Sequence, residues 1–326
     1  MGSAYSALGD HSRALEYQLK ALAFLERVLP ENHPTLAASY NNVGIIYGAL
    51  GDRSRALEYQ LKALAIWEKV LPENHPTIAT SYNNVGTTYG ALGNHSRALE
   101  YKRKAVAILE KVLPGSNPKL ANCYNNVGTT YSALGDHSRA LEYQLKALAI
   151  LEKVLPGNHP DLATAYNNVG GIYGNLGDLN KAKEFHNKAL TIKEEVLPSK
   201  HPDLATAYAW MGYVFGEMGD HSRALEYQLK ALSIREKVLP EYHPDLAGSC
   251  SNIAWTYYEM GQLPEAAQYM CRAADIISRS TLPENHPDRI NLAQWAARFE
   301  REAKMQQAIM AQMKQWGMNP FGLTGK

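Results

Sequence analysis

The sequence has almost no net charge, few cysteines and no long apolar run. Lysine and arginine number 33 against 32 aspartate and glutamate residues, so no overall field would gather nucleic acid or an anionic membrane. Cys123, Cys250 and Cys271 show no paired spacing and are interpreted as small buried residues in a reducing compartment. The sequence does not open on a basic region followed by an apolar run, and it contains no run of about 18 apolar residues. We therefore expect a cytoplasmic protein that binds neither nucleic acid nor membrane.

The motifs of common enzymes are also missing. The sequence contains no Gly-x-Ser-x-Gly elbow, no glycine-rich phosphate loop after a strand, and no catalytic motif around a cysteine. The sequence therefore predicts that the chain is not an enzyme and needs no cofactor.

What the sequence has instead is a 42-residue repeat marked by paired prolines. The first proline of each pair ends a helix, because it lacks an N–H and clashes with the preceding turn; the second begins a helix, where the missing donor costs nothing. A step such as Gly51-Asp52 between the pairs supplies a left-handed helix end and a capping side chain. Each repeat should thus form two antiparallel helices. The pairs are Pro30/Pro34, Pro72/Pro76, Pro114/Pro118, Pro156/Pro160, Pro198/Pro202, Pro240/Pro244 and Pro283/Pro287.

The repeats predict a single array over residues 1–316 and a flexible tail over 317–326. A truncated first repeat fills residues 1–30, and a one-residue insertion before Pro283 shifts the register near the end. An amphipathic helix over 287–316 is expected to cap the apolar face of the last repeat. The six predicted helix pairs are 34–50 with 53–71, 76–92 with 95–113, 118–134 with 137–155, 160–176 with 179–197, 202–218 with 221–239, and 244–260 with 263–281.

Within each repeat the segment Tyr40-x-x-Val43-Gly44-x-x-Tyr47, followed by small alanines, resembles the tetratricopeptide pattern. The 42-residue length, with His-Pro at the turn and Tyr-Asn-Asn in the first helix, is similar to kinesin light chain and its relatives. The resemblance implies an all-α, right-handed superhelical solenoid that binds other proteins. The sequence departs from the family at Gln60, where an aromatic residue often stands, and we expect Tyr59 to supply that packing.

In arrays of this family the first helix of each pair lines a concave groove that holds extended peptides. The resemblance places on that groove the residue three before the repeat glycine and those one, four and five after it. The helices over 34–50 and 76–92 contain no charged residue, so this groove should be small, neutral and polar. The candidate peptide-binding residues here are Asn41, Asn83, Asn125, Asn167, Thr87, Thr129 and Asn175.

The asparagines admit two interpretations. A side-chain amide carries a donor and an acceptor and can pair with a peptide unit without reading its sequence. Alternatively, one asparagine of each Asn-Asn pair, such as Asn42, satisfies groups between neighbouring repeats. Acidic peptides need charge-assisted bonds, and Lys119 is the only basic residue in the four asparagine-bearing helices, so acidic ligands fit this groove poorly.

The helices over 202–218 and 244–260 break the asparagine pattern. Ala209-Trp210 replaces Asn-Asn, and aromatic and acidic residues take the inward positions. Aromatic residues concentrate binding energy, so this end either forms an anchor pocket for a basic or apolar side chain or adjusts the packing near the cap. The candidate residues are Tyr213, Trp255 and Tyr258, with Glu217 and Glu259 beside them.

Histidines recur before the second proline of most repeats. Equivalent side chains one repeat apart are separated by more than a helix diameter of about 10 Å, too far to share a metal ion with bonds of about 2 Å. Asn117 takes the same place before Pro118, so we expect a local role at the start of the helix and no metal site.

Together these patterns predict a protein-protein interaction scaffold, similar to the cargo-adaptor repeats of kinesin light chains, that binds an extended segment of a partner. The alternative is a self-assembling structural protein whose cap or tail docks into another copy. Blocks that recur verbatim, such as residues 11–20 and 137–146, are compatible with either use.

Overall fold

The computed structural model describes residues 9–315, and in that range every regular element is an α-helix. The chain divides into two compact units, residues 1–157 and 158–326. Within each unit every helix packs against the next one along the chain, so the predicted all-α fold of stacked helix pairs is confirmed. The predicted tail over 317–326 lies outside the described residues.

The first unit contains seven described helices: α1 His11–Val28, α2 Pro34–Ala49, α3 Arg53–Val70, α4 Pro76–Ala91, α5 His95–Val112, α6 Pro118–Ala133 and α7 His137–Val154. The second unit contains α8 Pro160–Asn175, α9 Leu179–Val196, α10 Pro202–Glu217, α11 His221–Val238, α12 Pro244–Glu259, α13 Leu263–Ser278 and α14 Pro287–Gln315. With the exception of α13, the helices of the predicted pairs begin at the predicted residue and end one residue earlier than predicted.

The helix ends follow the predicted local chemistry. Gly51 has a φ of +84°, and the Asp52 side chain accepts a hydrogen bond of 3.0 Å from the backbone N–H of Arg55. At the other turn the Nδ1 atom of His33 accepts from the N–H of Thr35 at 3.2 Å. Asn117 does the same with its Oδ1 atom, which accepts from the N–H of Lys119 at 2.9 Å. The local capping role expected for these residues is confirmed.

The two helices of a repeat approach each other most closely at the repeat glycine. A Cβ atom on Gly44 would lie 3.0 Å from the carbonyl oxygen of Ala56 and 2.9 Å from Cγ of Gln60, so only glycine fits. The Tyr59 ring stacks on Tyr47 with centroids 5.6 Å apart, which confirms its expected packing role. Gln60 itself is buried against the glycine, and its Oε1 accepts a hydrogen bond of 2.7 Å from Thr88 of the next repeat.

The end of the second unit departs from the prediction at α13. This helix ends at Ser278, three residues before the predicted 281, because the extra residue before Pro283 lengthens the connection. The predicted cap is confirmed as α14, since its Phe299 side chain is buried among Ala254, Ala266 and Met270 of the last helix pair. Residue 316, the predicted end of the cap, lies outside the described residues.

Lys102 is a lysine buried at the position that Gln60 and Gln144 hold in neighbouring repeats. Only 8% of its surface is exposed, and its Nζ donates to Thr130 Oγ1 at 2.8 Å and to the carbonyl oxygen of Asn126 at 3.2 Å. Burial lowers the pKa of the Lys102 ammonium, because the charged form loses hydration that these two bonds replace only in part.

We expect Lys102→Gln to stabilise the first unit by about 1 kcal/mol at pH 7, because it removes a buried charge while keeping a polar partner for Thr130. The lysine lowers stability fully below its folded pKa, and this effect disappears as the pH rises towards its ordinary value of 10.5. The gain should therefore shrink between pH 7 and pH 10 in denaturation followed by circular dichroism. Gln60→Lys is the converse control and should destabilise; a Lys102→Gln protein no more stable than wild type at pH 7 would refute the interpretation.

Candidate functional site

The first helices of the three complete pairs in the first unit are α2, α4 and α6. The face of these helices that carries Asn41, Asn83 and Asn125 is called the inner face, after the position that the resemblance implies. α2 and α4 carry no charged residue, as predicted. Asn41, Asn83 and Asn125 are half-buried on these helices, whereas Thr87 and Thr129 are exposed. The surface that they form is therefore neutral and polar.

The asparagines of consecutive repeats are hydrogen-bonded to each other. The Nδ2 atom of Asn84 donates to Oδ1 of Asn41 at 3.3 Å, and Nδ2 of Asn126 donates to Oδ1 of Asn83 at 3.0 Å. Asn84 and Asn126, the second asparagines of their Asn-Asn pairs, thus join neighbouring repeats, which is one of the two interpretations given above. Each bonds to the first asparagine of the preceding repeat. The sequence did not predict that the acceptor oxygen of Asn41 and Asn83 is already engaged.

What Asn41 and Asn83 retain is their amide N–H₂ group. Within residues 9–315 neither Nδ2 atom donates to another side chain or to a carbonyl. Thr87 and Thr129 use their hydroxyl protons inside their own helices, each donating at 2.9 Å to the carbonyl oxygen four residues earlier. This face therefore offers amide donors, one repeat apart, together with hydroxyl oxygens that can accept.

A small pocket of ≈ 190 Å³ opens beside the first of these asparagines. Asn41 and Asn42 line one side, and Trp67 of α3 contributes an apolar surface. Thr77 and Thr80 of α4 complete the pocket with hydroxyl groups. The pocket is uncharged, like the rest of the inner face of the first unit.

In the second unit Asn167 faces a buried histidine that the sequence analysis missed. Nδ1 of His186 lies 3.0 Å from Oδ1 of Asn167, which assigns the ring proton to Nδ1. The imidazole is 1% exposed and stacks on Trp210, with centroids 5.4 Å apart and planes at 6°. Burial, with a smaller contribution from Lys193, lowers the pKa of His186 to about 4. Asn175 is the exposed last residue of α8.

A cavity of ≈ 520 Å³, the unit-2 cavity, lies between α10, α11 and α12. Tyr213 and Trp255 line it from the first helices, together with Glu217 and Glu259. The other lining side chains with polar groups are His221, Gln228, Arg235, Ser249, Asn252 and Thr256.

Tyr258 lies outside the lining of the unit-2 cavity. Its ring stacks on Phe299 of α14 with centroids 4.8 Å apart. The structure places this residue in the contact with the cap, which is the packing role that the sequence left open. Trp255 shares in both environments, because its ring also contacts Trp295 of α14 at 4.9 Å.

Residues 9–315 offer no group of three or more histidine, cysteine or acidic side chains that could hold a metal ion. Burial raises the pKa of the Cys123 and Cys250 thiols to about 11, so both stay protonated at neutral pH and are poor nucleophiles. None of the helices described here is long and apolar enough to cross a membrane.

His186 makes the stability of the second unit sensitive to acid. Its ordinary pKa of 6.5 applies in the unfolded chain, so between pH 6.5 and 4 the unfolded state binds a proton that the folded state does not. Folding stability should fall by up to about 3 kcal/mol as the pH drops through this window. We expect His186→Gln, which introduces the residue found at 144, to remove this component when urea midpoints are compared at pH 7, 5.5 and 4.

The converse substitution, Gln144→His, should add acid sensitivity to the first unit, because it places a histidine at the equivalent buried position. Parallel stability curves for wild type and His186→Gln over the whole pH range would contradict the assignment of His186 as a buried neutral base.

The sequence profile of the tetratricopeptide repeat family matches residues 1–69, 55–111, 161–237 and 203–279. A second profile with the same description matches residues 120–161. A search among proteins of curated function finds no match.

Several solved structures share the fold. The nearly identical TPR-like repeats of a putative kinesin light chain from Podosopora anserina are 23% identical over 64% of this chain and 99% of theirs, with a TM-score of 0.58. BtubC (BKLC) from P. vanneervenii is 22% identical over 70% of this chain and 89% of its own, also with a TM-score of 0.58.

A signal transduction ATPase with a tetratricopeptide repeat sensor, from Pyrococcus horikoshii, is 18% identical over 92% of this chain and 42% of its own, with a TM-score of 0.69. At these identities the likeness concerns the fold alone. The profile matches, the buried repeat glycines and the stacked helix pairs together show that the chain belongs to the tetratricopeptide repeat family.

Proposed function

We propose that this protein is a cytoplasmic scaffold whose inner helices hold an extended segment of a partner protein, mainly through the backbone of that segment. Tetratricopeptide repeats generally serve as protein-protein interaction scaffolds. The observation that carries the proposal is the row of amide donors on an uncharged face, at Asn41 and Asn83.

These donors suit a peptide backbone because each carbonyl oxygen of an extended chain can accept a hydrogen bond from a side-chain amide. The inter-repeat bonds fix the asparagine oxygens, so the remaining N–H groups are held in one orientation before a ligand arrives. Such preorganisation lowers the entropy lost on binding. Since α2 and α4 present no charge, this part of the surface should select weakly among peptide sequences.

Because α2 and α4 carry no charge, the ligand proposed here differs from the acidic cargo motifs that kinesin light chains recognise. A carboxylate buried on this face would lose hydration without gaining a charge-assisted hydrogen bond. We therefore propose a scaffold similar in architecture to a cargo adaptor but with a different ligand class on its first unit.

Two substitutions that break the same hydrogen bond test the proposal. Asn83→Ala and Asn126→Ala each remove the 3.0 Å bond between the two side chains, so both should lower stability by about 1 kcal/mol. Only Asn83→Ala also removes the donor proposed to face the ligand. With decapeptides selected by phage display on the full chain, we expect Asn83→Ala to weaken binding about five- to tenfold. Asn126→Ala keeps the donor but loses its fixed orientation, so it should weaken binding clearly less than Asn83→Ala does.

The measurement is fluorescence anisotropy of a labelled selected peptide, with Asn41→Ala and Asn84→Ala as a second matched pair. Equal affinities for the two members of both pairs would show that the asparagine N–H groups do not contact the ligand. Failure to select any peptide on the full chain would reject the scaffold proposal itself.

Self-assembly through the cap or the tail stays a prediction. Light scattering of the full chain and of a chain ending at residue 316 would test it, because a monomer in both cases contradicts self-assembly.

A further inference from the structure

The unit-2 cavity has charges at both ends, unlike the inner face of the first unit. Glu217 and Glu259 are the last residues of α10 and α12 and lie at one end of the lining. Arg235 lies 14 residues after His221 on α11, so about 21 Å of helix separates it from the turn beside Glu217. Its Nη1 donates to Ser249 Oγ at 2.6 Å, which holds the guanidinium at the far end.

Both glutamates stand where a carboxylate is electrostatically unfavourable. A helix carries partial negative charge at its C-terminus, so a carboxylate there is mildly disfavoured, and both of these glutamates are exposed. Neither α10 nor α12 has a basic residue in its last turn, and neither glutamate forms an ion pair within residues 9–315. The corresponding last residues of α2, α4 and α6 are Ala49, Ala91 and Ala133.

An aromatic ring precedes each carboxylate by one helical turn. Tyr213 stands four residues before Glu217, and Trp255 stands four residues before Glu259; both rings line the cavity. Tyr213 is 47% exposed and meets Trp210 edge-on with ring centroids 6.1 Å apart, so much of its ring is accessible to a ligand. A ring face attracts a cation and also packs against the methylene groups of a long basic side chain.

We propose that the unit-2 cavity binds a lysine or arginine side chain of the partner segment, with the cation between Glu217 and Glu259 and the methylene groups against Tyr213 and Trp255. This inference rests on the proposed function, because it assumes an extended peptide on the inner face. The bound cation relieves the repulsion at two helix C-termini, and Arg235 restricts it to the opposite end of the cavity. The second unit thereby offers a charge-selective contact, whereas α2 and α4 of the first unit should read little sequence.

The test is the sequence preference of decapeptides selected by phage display on the full chain. We expect selected peptides to carry lysine or arginine at one fixed position, and their affinity to fall as NaCl is raised. The Glu217→Ala/Glu259→Ala protein, which restores the residue found at 49 and 91, should bind these peptides about tenfold or more weakly. Its unfolding temperature should equal or exceed that of wild type, so lost binding would not reflect lost folding.

Arg235→Leu is the matched control, since leucine stands at the equivalent positions 109 and 151. It alters the same cavity but should keep the preference for a basic residue. Selected peptides with an apolar or acidic residue at the fixed position, or with no fixed position, would overturn this inference and leave the scaffold proposal standing. If the full chain selects no peptide, the scaffold proposal and this inference fail together.

Discussion

The close approach of two helices at the repeat glycine is the constraint on which every helix pair except the last depends. At Gly44 the carbonyl oxygen of Ala56 lies too close for a Cβ atom to fit, so the backbones of the two helices pack directly against each other. The residue at position 60 then packs across the glycine and reaches the next repeat, where it bonds to Thr88. In the last pair Ala254 and Met270 replace the glycine and the polar residue, and both join the apolar cluster under Phe299. The hydrogen bond that Gln60 makes to the next repeat therefore has no counterpart at Met270.

This packing also fixes which side chains the first helices present on the face that carries the asparagines. Asn83 illustrates the consequence, because its oxygen holds the neighbouring repeat through Asn126 while its N–H₂ group remains for a ligand. Structural and binding roles are thus carried by different atoms of one side chain. In α10 and α12 of the second unit, aromatic rings stand at the position of Thr87 and carboxylates at the position of Ala91, and these side chains line a cavity with charged groups. One architecture supports two kinds of contact.

The sequence predicted the helices well because proline and glycine act locally: Pro34 fixes a start and Gly51 fixes an end whatever the tertiary structure. It missed the end of α13, since the extra residue before Pro283 does not show where the helix stops. It also missed the buried His186, because the equivalent positions of other repeats hold glutamine and lysine. A polar residue at such a position in an amphipathic helix gives no sign of burial. The bond between Asn126 and Asn83 depends on the register of adjacent repeats, which only the packed structure defines.

The most direct test of the central claim is a crystal structure of the full chain with a display-selected peptide bound. The account predicts an extended peptide on the first helices of the repeats, with its carbonyl oxygens about 3 Å from the Nδ2 atoms of Asn41 or Asn83. A peptide that contacts only the second helices, α3 and α5, or that binds without reaching either asparagine, would contradict it.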